Sequence, residues 1–359
     1  MDSPSDPQNP ATYPAETQVQ PAPFQYNPYW DMIEQRRIGR KQRMSEVRAV
    51  LKRFGAFCSL SLFAYLGAAL IMFILISPEI MRQLNSGYSD YLFVITPEIV
   101  PIFRMDGAVL VLYVFLVVMA ITASFSYIVL TSALPTLKET MTGATGRHSK
   151  MLTIGGLFFA AYFVTFINYL LVDAAGVSPN VPDFGSYPVW NQIYSSASAV
   201  FWEEIISRVL LIGVPLLWID LLFRRRMLLP PRKYLLGGAD RFGPAEIGLV
   251  VFSGMMFGLG HVWSWDIWKI MPTIIGGFCF GYLFIRFGLY ASIMFHMCFN
   301  FLSVPTFFIS EGQAFALDLF ILFVWMPAGL MFIVYYLLKL KKFFFSPKKK
   351  LPAGDGVVT

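Results

Sequence analysis

From residue 55 onward the chain is dominated by long apolar runs separated by short polar stretches. A bilayer-spanning helix needs about 20 mostly apolar residues. On that rule the sequence predicts eight spans, at 55–77, 107–134, 151–172, 192–222, 245–263, 269–286, 289–309 and 316–338. The fold class expected is all-α, a polytopic transmembrane helical bundle. Residues 1 to about 30, rich in Pro, Gln, Ser, Asn and Tyr and without periodicity, read as a disordered N-terminal tail. No early apolar region is followed by a small-residue cleavage site, so the first span is expected to direct insertion itself. Residues 31–53 read as an amphipathic helix with eight basic residues from Arg36 to Arg53 against one acid, Glu46. That charge suits an anionic inner leaflet, or serves only as a flank that orients the first span.

The loops carry a second pattern. Basic residues gather in the N-terminal flank, in 135–150 (Lys138, Arg147, Lys150), in 223–246 and in the tail from Lys339 to Lys350. By the positive-inside rule these are cytoplasmic, and both termini with them. The alternate loops are acidic: 78–106 has four acids against two arginines, and 173–191 has Asp173 and Asp183 without Lys or Arg. Composition agrees, with 56% hydrophobic and 14% charged residues, against about a quarter charged in a soluble domain. A large soluble core is excluded, and the net charge of +6 reflects these anchors and not a nucleic-acid partner. Cys58, Cys279 and Cys298 lie in apolar runs without CxxC spacing, as packing residues. The domain organisation expected is a tail and basic segment at 1–53, N-terminal transmembrane helices at 54–175, a transmembrane core at 190–310, and a last helix with basic tail at 311–359.

Ionisable groups inside apolar spans are the informative positions, since each costs on the order of 3 kcal/mol or more unless paired or hydrated. Three segments carry them. Glu203, Glu204 and Arg208 lie well inside the fourth span. The i,i+4 spacing puts Glu204 and Arg208 on one face, with Glu203 about 100° around the helix. One carboxylate is then paired and its neighbour free, as a base requires; the bland reading is a salt bridge joining helices. His261 follows Phe257, Gly258 and Gly260 near the end of the fifth span, and taken alone is more often a helix-joining residue than a catalyst. His296 and Asn300 share one face of the seventh span, where they can bind water, a metal or a polarised carbonyl oxygen. The remaining histidine, His148, sits in a basic loop. Trp263, Trp265 and Trp268 read as an interfacial aromatic belt or the rim of a substrate entrance.

The three motifs in order, EExxxR (Glu203, Glu204, Arg208), FxxxH (Phe257, His261) and HxxxN (His296, Asn300), resemble those of the CPBP family of intramembrane proteases. These are also called the CAAX protease and bacteriocin-processing family, and are related to the Rce1-type CAAX prenyl endopeptidases. The resemblance covers roughly residues 190–310. It implies that Glu203 and His261 activate water, that His296 and Asn300 stabilise the oxyanion, and that Glu204 and Arg208 support them. It leaves the catalytic type open between a glutamate protease without a cofactor and a zinc enzyme whose ligands would be Glu203, His261 and His296. The implied partners are the lipid bilayer and a membrane-embedded or lipidated peptide or protein. Without organelle-targeting signals, the expected location is a bacterial plasma membrane. Two other functions suit intramembrane carboxylates and histidines: a non-catalytic immunity or scaffold protein of the same fold, and a proton-coupled transporter. The eight-span count sets His296 near the cytoplasmic start of its helix, away from Glu203 and His261 in depth. A common site therefore requires tilted, long or re-entrant helices, with Arg286 marking a break.

Overall fold

The computed structural model describes residues 28–95, 98–142 and 149–345. Most of the expected disordered tail, Arg147 and His148, and the basic residues beyond 345 lie outside the described residues. The chain divides into two units, Met1–Val50 and Leu51–Thr359. In the first, residues 33–50 are exposed along their whole length, and Arg37 pairs with Glu34 at 2.8 Å.

Helix α1 is Pro28–Asn85, with Pro78 inside it. A two-stranded antiparallel hairpin follows, β1 (Ser89–Ile95) and β2 (Ile99–Asp106), in what the sequence predicts only as an acidic loop. Next come α2 (Gly107–Thr142), α3 (Lys150–Ala174), α4 (Val189–Phe223), the short α5 (Pro231–Leu236), α6 (Pro244–Trp265), α7 (Ile267–Arg286), α8 (Leu289–Asn300) and α9 (Glu311–Lys341). All but α5 and α8 are long and apolar enough to cross a membrane, giving seven among the described residues. Exposed apolar side chains such as Leu75, Leu130 and Phe323 form their outward faces, the surface a bilayer covers.

The seventh expected span, 289–309, is corrected to α8, a helix of 12 residues. Gly288, at φ +121°, lets the chain reverse directly after α7, and the regular helix ends at Asn300 before a 3-10 turn at Pro305–Phe308. From Ala291 to Cys298 every residue of α8 is buried, because α8 packs among α2, α3, α4 and α7. A helix apolar all round belongs in the middle of a bundle. Helices α6 and α7 approach closely where Gly277 meets Gly254: a Cβ on Gly277 would lie 2.6 Å from the Gly254 Cα. A Cβ on Gly213 of α4 would lie 1.9 Å from the Tyr234 carbonyl oxygen, so α5 is folded directly against α4. There Tyr234 donates to the buried Asp220 at 2.5 Å, and Arg224 donates to its other oxygen. Burial and that carboxylate push the Tyr234 hydroxyl above its usual range, so it stays a donor.

Candidate active site

Glu204 ends the regular α-helical part of α4, and Ile205–Gly213 continues it as π-helix. Such widened turns recur at functional sites. The Glu204 carboxylate is fully buried and fully engaged. One oxygen accepts from Arg208 Nε at 3.2 Å and from the Ser292 hydroxyl, and the other meets His296 Nδ1 at 3.0 Å. Arg208, equally buried, donates from Nη1 to Ser253 Oγ at 2.6 Å, and that hydroxyl donates to the Ser207 carbonyl. The Phe257 and Phe280 rings lie 5.4 and 5.2 Å from the guanidinium. A buried charge pair persists only when further hydrogen bonds complete it, and here α4, α6 and α8 all contribute.

Glu203 is placed differently. Its side chain is 16% exposed, accepts no hydrogen bond from another described side chain, and lies 3.7 Å from His296 Nε2. The two carboxylates, expected about 100° apart, do leave the helix in different directions, yet both reach the same imidazole, one at each nitrogen. A carboxylate only accepts, so His296 Nδ1 carries a proton toward Glu204 and Nε2 faces Glu203. His261 closes the regular helix of α6. Its Nδ1 lies 2.7 Å from the Phe257 carbonyl oxygen, which makes Nδ1 the donor and leaves Nε2 as acceptor. Asn300 Nδ2 donates to the Ser196 carbonyl at 3.4 Å, with one N–H left over.

The hairpin also borders this side of the site. Trp202 Nε1 donates to the Phe93 carbonyl at 2.9 Å. Pro101, opposite Phe93, has no N–H to offer in the ladder. Tyr194 donates to Asp90, and a Cβ on Gly260 would lie 2.8 Å from Ile95. Strand β1 thus touches the residues next to Glu203 and His261.

Ser292, Ser253 and the hairpin are missed by reading the sequence for ionisable groups. Spacing holds the signal for the serines: Ser292, His296 and Asn300 recur every four residues, as do Ser253, Phe257 and His261. The hairpin carries no comparable mark. Among the described residues no three His, Cys, Asp or Glu side chains form a metal-holding group.

Seven apolar spans around a buried Glu, Arg and His network define an integral membrane protein with a polar site inside its helical bundle. Residues 185–302, about a third of the chain, match the family model described as Type II CAAX prenyl endopeptidase Rce1-like. That segment holds every candidate residue from Glu203 to Asn300. No curated protein and no solved structure matches the chain.

Proposed function

We propose that this protein is an intramembrane endopeptidase that hydrolyses a peptide bond of a membrane-associated peptide or protein. The observation that carries the reading is the contrast between two adjacent carboxylates: Glu204 saturated with donors, Glu203 beside it left without one. A base must have an oxygen free to take a proton.

In this reading water sits against Glu203, with His261 Nε2 as its second acceptor. Glu203 takes the proton as the water oxygen attacks the scissile carbonyl carbon. The carbonyl oxygen becomes an oxyanion, received by Asn300 Nδ2–H and by His296 Nε2–H. For His296 to donate there it must carry both ring protons, and the carboxylates of Glu203 and Glu204 flank that imidazolium. The proton held by Glu203 then passes to the leaving nitrogen, the C–N bond breaks, and an acid and an amine are released. No step passes through a metal. Glu204 and Arg208 fix His296 and tie α4 to α6 and α8. In this reading both termini lie in the cytoplasm, as the basic loops favour.

The test is cleavage of a membrane-peptide library by purified protein in nanodiscs. Glu203→Gln is expected to lower turnover by about 10³-fold, in the range of general-base catalysis, with a chelator leaving wild-type cleavage unchanged. A folded Glu203→Gln that still cleaves would support the scaffold or transporter readings.

A further inference from the structure

Helices α4, α6 and α8 supply the polar groups around His296, and α7 supplies a buried phenyl ring, Phe280. Glycines bring that ring close. Besides the contact of Gly277 with Gly254, a Cβ on Gly281 would lie 2.8 Å from Val250 of α6, and one on Gly276 would lie 3.6 Å from the Phe280 ring. Phe257 and Phe280 divide the two histidines between them. Phe257 lies 4.7 Å from the His261 ring and 6.0 Å from the His296 ring, whereas Phe280 lies 4.9 Å from His296, tilted by 49°. The Arg208 guanidinium stands over the Phe280 ring at 5.2 Å, so one ring neighbours both groups that hydrogen-bond to Glu204. Phe295 packs on Phe280 at 4.8 Å, nearly perpendicular, and Ser292 Oγ lies 3.3 Å from the Phe280 carbonyl oxygen. Ring and main chain of Phe280 are thus both tied to α8. Phe257 belongs to the FxxxH motif, and Phe280 to none of the three motifs.

We propose that Phe280 is a positioning residue whose π-electrons hold Arg208 and His296 in one arrangement, and so fix the direction in which His296 Nε2 meets the oxyanion. The part played by Nε2 rests on the endopeptidase reading; the contacts of the ring do not. Glu204 is hydrogen-bonded to Arg208 and to His296, while Glu203 is kept for the proton of water. The guanidinium and the imidazolium of that reading therefore share one fully engaged anion. A third carboxylate against His296 would compete for its proton. A phenyl ring attracts a cation within about 6 Å of its centre and accepts no proton. That attraction is largest where water is excluded, and Arg208, His296 and Phe280 are all buried. Phe280 acts through His296 and not on the substrate.

The experiment places phenylalanines with one, two or three ring fluorines at position 280 of the full chain, each at a single recoded codon, in nanodiscs. Every added fluorine drains the negative face of the ring and changes its shape little. Turnover of the membrane-peptide library should fall stepwise with fluorine number, by about ten-fold in kcat at three fluorines, as expected for the loss of a water-excluded cation–π contact. KM should stay as in the wild type. The His296 Nδ1–H proton resonance, assigned by its absence in His296→Gln, should shift stepwise in the same order. Phe295 provides the control, since it packs on Phe280 and no cation stands over it among the described residues. The same fluorine series at Phe295 should leave kcat and the resonance unchanged. Phe280→Leu, apolar but without a ring, should lose at least as much kcat as the most fluorinated ring. If the wild type cleaves nothing, the endopeptidase reading fails, while the resonance series still decides whether Phe280 holds His296. A resonance that stays fixed across the Phe280 series, a kcat that stays fixed in a cleaving enzyme, or equal changes in the Phe295 series would overturn the proposal and leave Phe280 as packing alone.

Discussion

Glu203 and Glu204 are neighbours in sequence and opposites in environment. Around Glu204, three helices converge: Arg208 from its own helix, Ser292 and His296 from α8, and Ser253 of α6 through Arg208. Around Glu203 there is a partly open space, the outward nitrogen of His296, and the edge of a hairpin held by Trp202. Within a single turn of helix, one carboxylate is saturated and pins the helices, and its neighbour, the base proposed above, is left unsatisfied.

The comparison can be broken from the saturated side first. Arg208→Met leaves the Glu204 charge buried without its cation, and should destabilise the protein by about 3–5 kcal/mol, read as a fall in the denaturation midpoint in mixed micelles. Ser292→Ala removes a hydrogen bond to a charged group and should cost about 2 kcal/mol by the same assay. Its turnover per folded molecule should change less than its stability. On the open side, Trp202→Phe removes only the donor to Phe93, for about 1 kcal/mol. Faster amide exchange confined to β1 and β2 would show the hairpin loosening while the Glu204 cluster stays protected. A loss of protection at Ser292 and His296 in that variant would mean the two sides are not separate.

Much of this was legible in the sequence. Apolar run length located the seven long helices, because a lipid solvent imposes that length directly. The cost of burying charge singled out Glu203, Glu204, Arg208, His261, His296 and Asn300. What escaped was set by partners distant in sequence. The run 289–309 is as apolar as a span, but being buried among α2, α3, α4 and α7 makes the same composition as facing lipid does. Helix α8 has only 12 residues, and His296, expected at a different depth from Glu203, lies beside both carboxylates. The hairpin carries no mark of its own because β1 and β2 pair with one another inside an acidic loop.

The most direct measurement sets Glu203→Gln beside Glu204→Gln in one preparation, recording peptide turnover and thermal midpoint for each. Glu203→Gln should lose about 10³-fold in turnover and keep the wild-type midpoint, while Glu204→Gln should fall in midpoint first. Turnover surviving in Glu203→Gln, or a midpoint that falls equally in both, would contradict the division between a structural and a chemical carboxylate.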